Sequence, residues 1–378
     1  MLRMSTVQPA LGRPCELVTG CALGGTSRIN QMAYTRGLPA EYDAWRDAGR
    51  VGWAWEDMKP FFLKGEGAYE RGPEQGVHST QEKLLIEQSD SGLPVVRGVH
   101  LVSAISRKRR TIVAQDHFGT SVAWEVPLGE SLICLEARPW VFVFELIRYL
   151  IWGTGLLLGP VVQLFVLLNT QTLDHDGIPV TEGKNLSDEP LPDVELIPIA
   201  YDHSVEKVAK DRGVFSILVA LQRPKSRGTV RLTSQELFAP LSIDMGYLSN
   251  SEDRVPLRAG LKCALRIVER MRQNGYKILS NWAVPKSESD EDLDTLIVAR
   301  GKTSYHYSST CRMAPEHDAA GGGVVDDELK VHGVCNLRIA DTSVFPWIPA
   351  THLQAPAVAV AERCAYMMLK ESVVGGNV

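Results

Sequence analysis

Apolar residues in this chain recur with two periods, and each predicts its own elements. Between residues 41 and 66, Trp55, Met58, Phe61 and Phe62 return every three to four positions, the spacing of one apolar helix face. Pro60 within that stretch either bends the helix or marks a helix start. Residues 254–274, RVPLRAGLKCALRIVERMRQN, hold the same period and stop at Gly275, which predicts an amphipathic helix with a glycine stop. Residues 353–371 predict a long final helix, and the acidic 286–298 stretch opens another. Residues 193–202, 214–222 and 228–234 alternate or run apolar with β-branched side chains and predict strands, with PKSRG at 224–228 as a turn. Residues 331–341, VHGVCNLRIAD, predict a further strand ending in an acid. Residues 18–37 predict a loop that enters a short helix. The succession is that of a mixed α/β enzyme.

One stretch fits neither period. From Leu150 to Leu168 only Thr154 and Gln163 are polar. That nearly reaches the ~20 apolar residues a membrane-spanning helix needs, but Gly153, Gly155, Gly159 and Pro160 interrupt it. Three readings stay open for 140–168: a helix pair packed on a soluble domain, a span, or a peripheral membrane contact.

Charge narrows the partners. Lys plus Arg is 40 and Asp plus Glu is 45, a net charge of −5, so the chain is not a nucleic-acid binder working by bulk electrostatics. The four consecutive cations in ISRKRRT at 105–111 read as a solvated face. Seven cysteines, at 15, 21, 134, 263, 311, 335 and 364, show no CxxC spacing, so no zinc site is expected and reduced thiols are. The first 20 residues hold no apolar core of signal-peptide length; with Met1 as the start, this favours the cytoplasm.

Three clusters can carry chemistry. Gly24, Gly25, Thr26, Ser27, Arg28, Ile29 and Asn30 combine backbone freedom with small polar groups, which lets the chain approach a planar or phosphate-bearing ligand; ordinary loops share this composition. Tyr305 and His306 precede Ser308-Ser309-Thr310-Cys311-Arg312-Met313, and a histidine in such a loop is either a general base or a surface residue. Asp341-Thr342-Ser343 is followed by Thr351-His352, which places His352 at the start of the final helix. A helix start offers free N–H groups and positive potential that favour negative charge on a bound cofactor. Asp341 is otherwise a plain turn acid.

Taken together, the three clusters resemble the glucose–methanol–choline family of flavin oxidoreductases. The resemblance rests on GGTSRIN and the following Met, Tyr and Arg-Gly at 24–37, on YDAW through GWAWEDMKPFF at 42–62, and on PKSRGTVRLTS at 224–234. It rests further on YHYSSTCRM at 305–313, VVDDELKVHGVCNLRIADTSVFP at 324–346 and ATH at 350–352. Fungal members look closest. The resemblance implies bound FAD and a choline-dehydrogenase-like oxidation of a small alcohol, with hydride passing from the CH–OH carbon to flavin N5. Oxygen or another acceptor would take the electrons. By the same resemblance His306 is the base, His352 its partner, and Gly25, Thr26, Asn30, Tyr305, Asp341 and Leu353 border the flavin.

The pattern also breaks. The family's opening G-x-G-x-x-G turn, which holds the FAD pyrophosphate, does not occur here. Ile112 runs almost directly into Gln115-Asp116-His117, which resembles the end of a second flavin-site block that is missing. The expected fold is therefore α/β of mixed α+β type, with an incomplete Rossmann-like FAD domain from 1–74 and 300–378. Residues 75–299 would form a substrate domain of antiparallel sheet and helices. The expectation for the polypeptide as written is weak FAD binding or none. The alternatives are a catalytically impaired truncated member and a membrane-associated protein using 140–168.

Overall fold

The computed structural model describes residues 2–20, 25–66, 112–158, 161–180, 191–202, 209, 211–234, 239–318 and 321–375. Gly24 and the basic run at 105–111 lie outside them. In chain order the elements begin with β1 (Leu2–Met4), β2 (Glu16–Val18), α1 (Pro39–Asp47) and α2 (Trp55–Gly65). Next come β3 (Ile112–Ala114), β4 (Phe118–Pro127), α3 (Ile133–Ala137) and α4 (Pro139–Trp152). Then follow β5 (Val166–Leu168), β6 (Val194–Ile199), β7 (Arg212–Leu221), β8 (Gly228–Leu232) and β9 (Leu241–Asp244). The chain closes with α5 (Arg254–Gln273), β10 (Ser280–Ala283), α6 (Asp290–Arg300), β11 (Lys302–Thr303) and α7 (Gln354–Gly375).

Two compact units divide these elements. The first comprises Met1–His117, Ser226–Ser249 and Tyr305–Val378. Its strands form a β1–β2 hairpin and an antiparallel sheet in the order β3–β8–β9. Its core is aromatic. Tyr42 and Trp45 of α1 and Phe62 of α2 meet edge-on, with ring centroids 5.1 and 5.4 Å from Tyr42. Trp45 lies 5.3 Å from the Phe345 ring. The small residues Ala355 and Ala359 of α7 let that helix approach the same cluster. Trp53 donates its indole N–H to the Asp327 carbonyl at 3.0 Å, while the Asp327 carboxylate accepts from Arg50 at 2.8 Å. Thus the turn between α1 and α2 is held by polar as well as apolar contacts. The helical period over 41–66 is realised as two helices. α2 starts at Trp55 and runs through Pro60, so Pro60 marks no start.

The expected strand at 331–341 does not form. Gly333 (φ +74°) and Asn336 (φ +58°) are left-handed and fold the segment back on itself. Val331 N–H then donates to Leu337 O at 2.9 Å, and only isolated bridges result. Gly and Asn reach this conformation at low cost, and the Val and Ile around them conceal the turn from a reading of periodicity.

The second unit comprises Phe118–Lys225 and Asn250–Ser304. It is built on an antiparallel sheet ordered β10–β4–β7–β6–β5, with β11 also paired to β4. The long pair β4–β7 aligns Phe118 with Leu221 through to Pro127 with Arg212. Both strands are buried along almost their whole length, β4 taking Thr120 and Ser121 inside along with its apolar residues. α5 lies against β6 and β7. Gly260 permits this, because a Cβ there would sit 2.6 Å from Val219 and 2.9 Å from Val194. Arg258 of α5 grips Asp294 of α6 through Nε at 2.7 Å and Nη2 at 2.6 Å.

The apolar 140–168 stretch becomes one helix, α4, and the short strand β5, in place of the helix pair among its readings. α4 ends at Gly153 in the left-handed conformation. Glu145 accepts from Arg148 at 2.8 Å and from the Leu156 N–H at 2.7 Å. Among the described residues, no helix is long and apolar enough to cross a membrane.

Candidate active site

Three histidines converge in the first unit. His306 and His352 stand edge to face, with ring centroids 4.9 Å apart and planes at 85°. His117 packs against His306 in the same way, with ring centroids 5.0 Å apart and planes at 84°. The Nδ1 atoms of His117 and His306 are 2.8 Å apart, so one of them carries the bridging proton.

The histidines are held by segments far apart in sequence. The segment Gln115-Asp116-His117 runs beside the segment that carries His306. Gln115 and Ser308 exchange backbone hydrogen bonds of 3.1 and 2.9 Å. Asp116 Oδ1 accepts the His306 backbone N–H at 2.8 Å, and its Oδ2 accepts the Tyr247 hydroxyl at 2.5 Å. Gln115 Oε1 accepts the Ile348 N–H at 3.2 Å and the Ser309 hydroxyl at 3.3 Å. Tyr305 (φ +62°) and Ser309 (φ +66°) flank His306 in left-handed backbone. For residues with a Cβ this costs energy, and such strain concentrates at functional sites.

His352 is placed by Thr35, in the 24–37 segment. Its backbone N–H donates to the Thr35 hydroxyl at 3.1 Å, and the Thr35 and Thr351 hydroxyls are 2.7 Å apart. α7 begins two residues beyond, at Gln354.

Electrostatics favour a base. Burial, reinforced by the neighbouring His117 and His352, holds His306 well below its ordinary value of 6.5. It is therefore uncharged at neutral pH, with a ring nitrogen able to accept a proton. Burial raises Asp341, with hydrogen bonds from Ser343 opposing the shift. Burial and the Asp341 carboxylate push the Cys311 thiol up to about 12, so it stays a thiol. Among the described residues, no group of three or more His, Cys, Asp or Glu side chains is placed to hold a metal ion.

The residues singled out by sequence lie at different depths. His306 and His352 are brought together, and Tyr305 is 47% exposed on the same segment. Thr342 and Ser309 join the Asp341 turn to that segment through a 3.2 Å backbone bond. Leu353 is buried in the aromatic core. Gly25 and Thr26 lie on a short 3-10 turn (Gly25–Arg28), and Asn30 just beyond it bonds its own loop at Met32 N–H. Sequence reading assigned no role to Gln115, Asp116 or His117. All three are buried. The signal was three consecutive polar residues directly before a buried strand, where polar groups need partners.

A neutral imidazole in a polar, strained loop beside a helix start is an arrangement able to accept a proton. Comparison with known proteins gives the family. The two GMC oxidoreductase family models match residues 5–101 and 224–361. The chain is 40% identical over 160 residues to the GMC oxidoreductase family protein Mala s 12 of Malassezia sympodialis, covering 42% of this chain and 25% of that protein. It thus spans about a quarter of the length of that relative. It is 32% identical over 458 aligned positions to oxygen-dependent choline dehydrogenase 1 of Chromohalobacter salexigens, covering 93% of this chain and 81% of that protein. The fold matches an FAD-dependent oxidoreductase from Chaetomium thermophilum with a TM-score of 0.78 at 16% identity, over 98% of this chain and 89% of that one. The chain belongs to the GMC oxidoreductase family, whose cofactor is FAD.

The residues present fit the redox end of that cofactor. The uncharged His306, the exposed Tyr305 ring and the opening of α7 offer a proton acceptor, an aromatic face and N–H donors. The phosphate end is different. Among the described residues, every named strand pair of the first unit is antiparallel, so no parallel βαβ turn is present there to cradle a pyrophosphate.

Proposed function

We propose that this chain is an FAD-dependent oxidoreductase acting on the CH–OH group of a small alcohol. The observation that carries the reading is the His306–His352 pair, 4.9 Å apart, with His306 held uncharged. Bound FAD supplies the hydride acceptor, N5. His306 takes the hydroxyl proton: the substrate O–H bond breaks, an N–H bond forms, and the oxygen becomes a carbonyl as hydride leaves the carbon. His352 is the partner that holds the oxygen in place. The N–H groups opening α7 favour negative charge nearby. Gly25, Thr26, Asn30, Tyr305, Asp341 and Leu353 would border the flavin, with 1–74 and 300–378 as the flavin domain and 75–299 as the substrate domain. Oxygen or another acceptor would close the cycle. The relatives' names make choline a first substrate to try.

His306→Ala tests this. In chain that carries flavin, turnover of the alcohol should fall by about 10²–10⁴-fold, the usual worth of a general base, with flavin absorbance kept. Unchanged turnover removes His306 from the role. Chain that leaves gel filtration colourless after incubation with FAD would mark an impaired member of the family.

A peripheral membrane contact is a second reading, favoured by α4. Its Trp140 is 66% and its Leu150 70% exposed, while its two charged residues, Glu145 and Arg148, pair with each other. Such a helix suits an interface of water and lipid. Flotation with phosphatidylcholine–phosphatidylserine vesicles should carry the protein upward, and Leu150→Glu should abolish this.

A further inference from the structure

His117 has no part in the reaction just described, yet it is fully buried and its Nδ1 lies 2.8 Å from Nδ1 of the proposed base. Between two uncharged imidazoles joined at Nδ1, a single proton lies on one nitrogen or the other. The two placements are not equivalent for chemistry. If His117 holds the proton, His306 must carry its own on Nε2, and Nε2 is then a donor. If His306 holds it, Nε2 keeps its lone pair and can take a proton. The contact with His117 therefore decides whether His306 is a base.

We propose that His117 is a positioning residue that accepts a hydrogen bond at Nδ1 from the Nδ1–H of His306, 2.8 Å away, and so fixes His306 in the tautomer with a free Nε2. The inference rests on the reading of His306 as the base. Three features support it. His117 directly precedes the buried strand β4 and is itself fully buried, so its ring is not free to wander. Asp116 Oδ1 holds the His306 backbone N–H at 2.8 Å, which fixes the second ring from its own main chain. The near-perpendicular rings, at 84°, allow a bond in the plane of each donor and acceptor only at the nitrogens that meet. When Nε2 gains the substrate proton, His306 becomes an imidazolium that keeps its Nδ1–H. The bond to His117 is then charge-assisted and stronger, which stabilises the cation as it forms. The other titratable groups around the pair are Asp116, Tyr247, Tyr305 and His352, with Glu16 acting on Tyr305.

Side-chain ¹⁵N spectra of the full chain test this without flavin. At neutral pH His306 should show a protonated Nδ1 and an unprotonated Nε2, with a scalar coupling across the bond to His117 Nδ1. His117→Phe should shift His306 to the Nε2–H form, while His117→Asn, which offers an amide oxygen near the same place, should keep Nδ1–H. In flavin-loaded chain, alcohol kcat/KM should fall at least ~10-fold for His117→Phe and recover for His117→Asn. A wild-type His306 found with its proton on Nε2 overturns the proposal, and so does a tautomer indifferent to His117→Phe. If the Phe variant does not fold, the wild-type spectrum alone decides. The tautomer reports on His117 and His306→Ala turnover reports on the base, so the two readings fail separately.

Discussion

The β4–β7 pair and the histidine site are both buried, but they are held in different ways. The strand pair runs ten residues in unbroken antiparallel register, from Phe118–Leu221 to Pro127–Arg212. Its order comes from backbone bonds that any sequence of suitable bulk could make. The histidine site has no such ladder. Gln115, Asp116, Thr35 and Tyr247 hold it through side-chain atoms that meet one or two particular partners each. Regular structure thus tolerates changes of residue that keep volume, whereas a site built from loops depends on single atoms.

That contrast can be broken by substitution. The largest loss of stability is expected for Trp45→Ala, which empties the aromatic core of the first unit. About 3–5 kcal/mol should be lost, read by urea unfolding. Gly260→Val probes the sheet of the second unit. A side chain there meets Val219 and Val194, and overpacking of this kind costs about 1–3 kcal/mol. The histidine spectra of the folded protein should not change; if they do, the two regions are not independent. Gln115→Ala strips the acceptor from Ile348 N–H and Ser309, leaving buried donors at a cost of about 1–3 kcal/mol. This change should alter the His306 resonances. Equal disturbance by Gly260→Val and Gln115→Ala would erase the distinction.

The smallest effect is one of pH. His306 has a folded value below 6.5, so the unfolded chain binds its proton first as acid is added. The contribution is full above 6.5 and is lost as pH falls from there toward the folded value. The melting temperature should drop over that window, and His306→Gln should flatten the part of the slope that His306 supplies.

The same contrast explains what the sequence disclosed. The β-branched runs at 193–202 and 214–222 and the helical period at 254–274 locate β6, β7 and α5 to within a few residues. Periodicity reports elements that bury one face or both. It misled at 331–341, where two left-handed residues override β-branched neighbours. The family resemblance at 305–313 and 350–352 pairs His306 with His352, and the fold sets their rings 4.9 Å apart. Gln115, Asp116 and His117 were not legible as site residues, because their meaning depends on a partner segment about 190 positions away, and nothing in local pattern records it.

The fold-back at Gly333 and Asn336 has a practical side. Between them sits Cys335, exposed, whereas Cys15, Cys134, Cys263, Cys311 and Cys364 are buried. Burial raises all five of those thiols and makes them slow toward electrophiles. Among the described cysteines, a maleimide dye will therefore report from one tight turn. That places an optical handle on the first unit at Cys335.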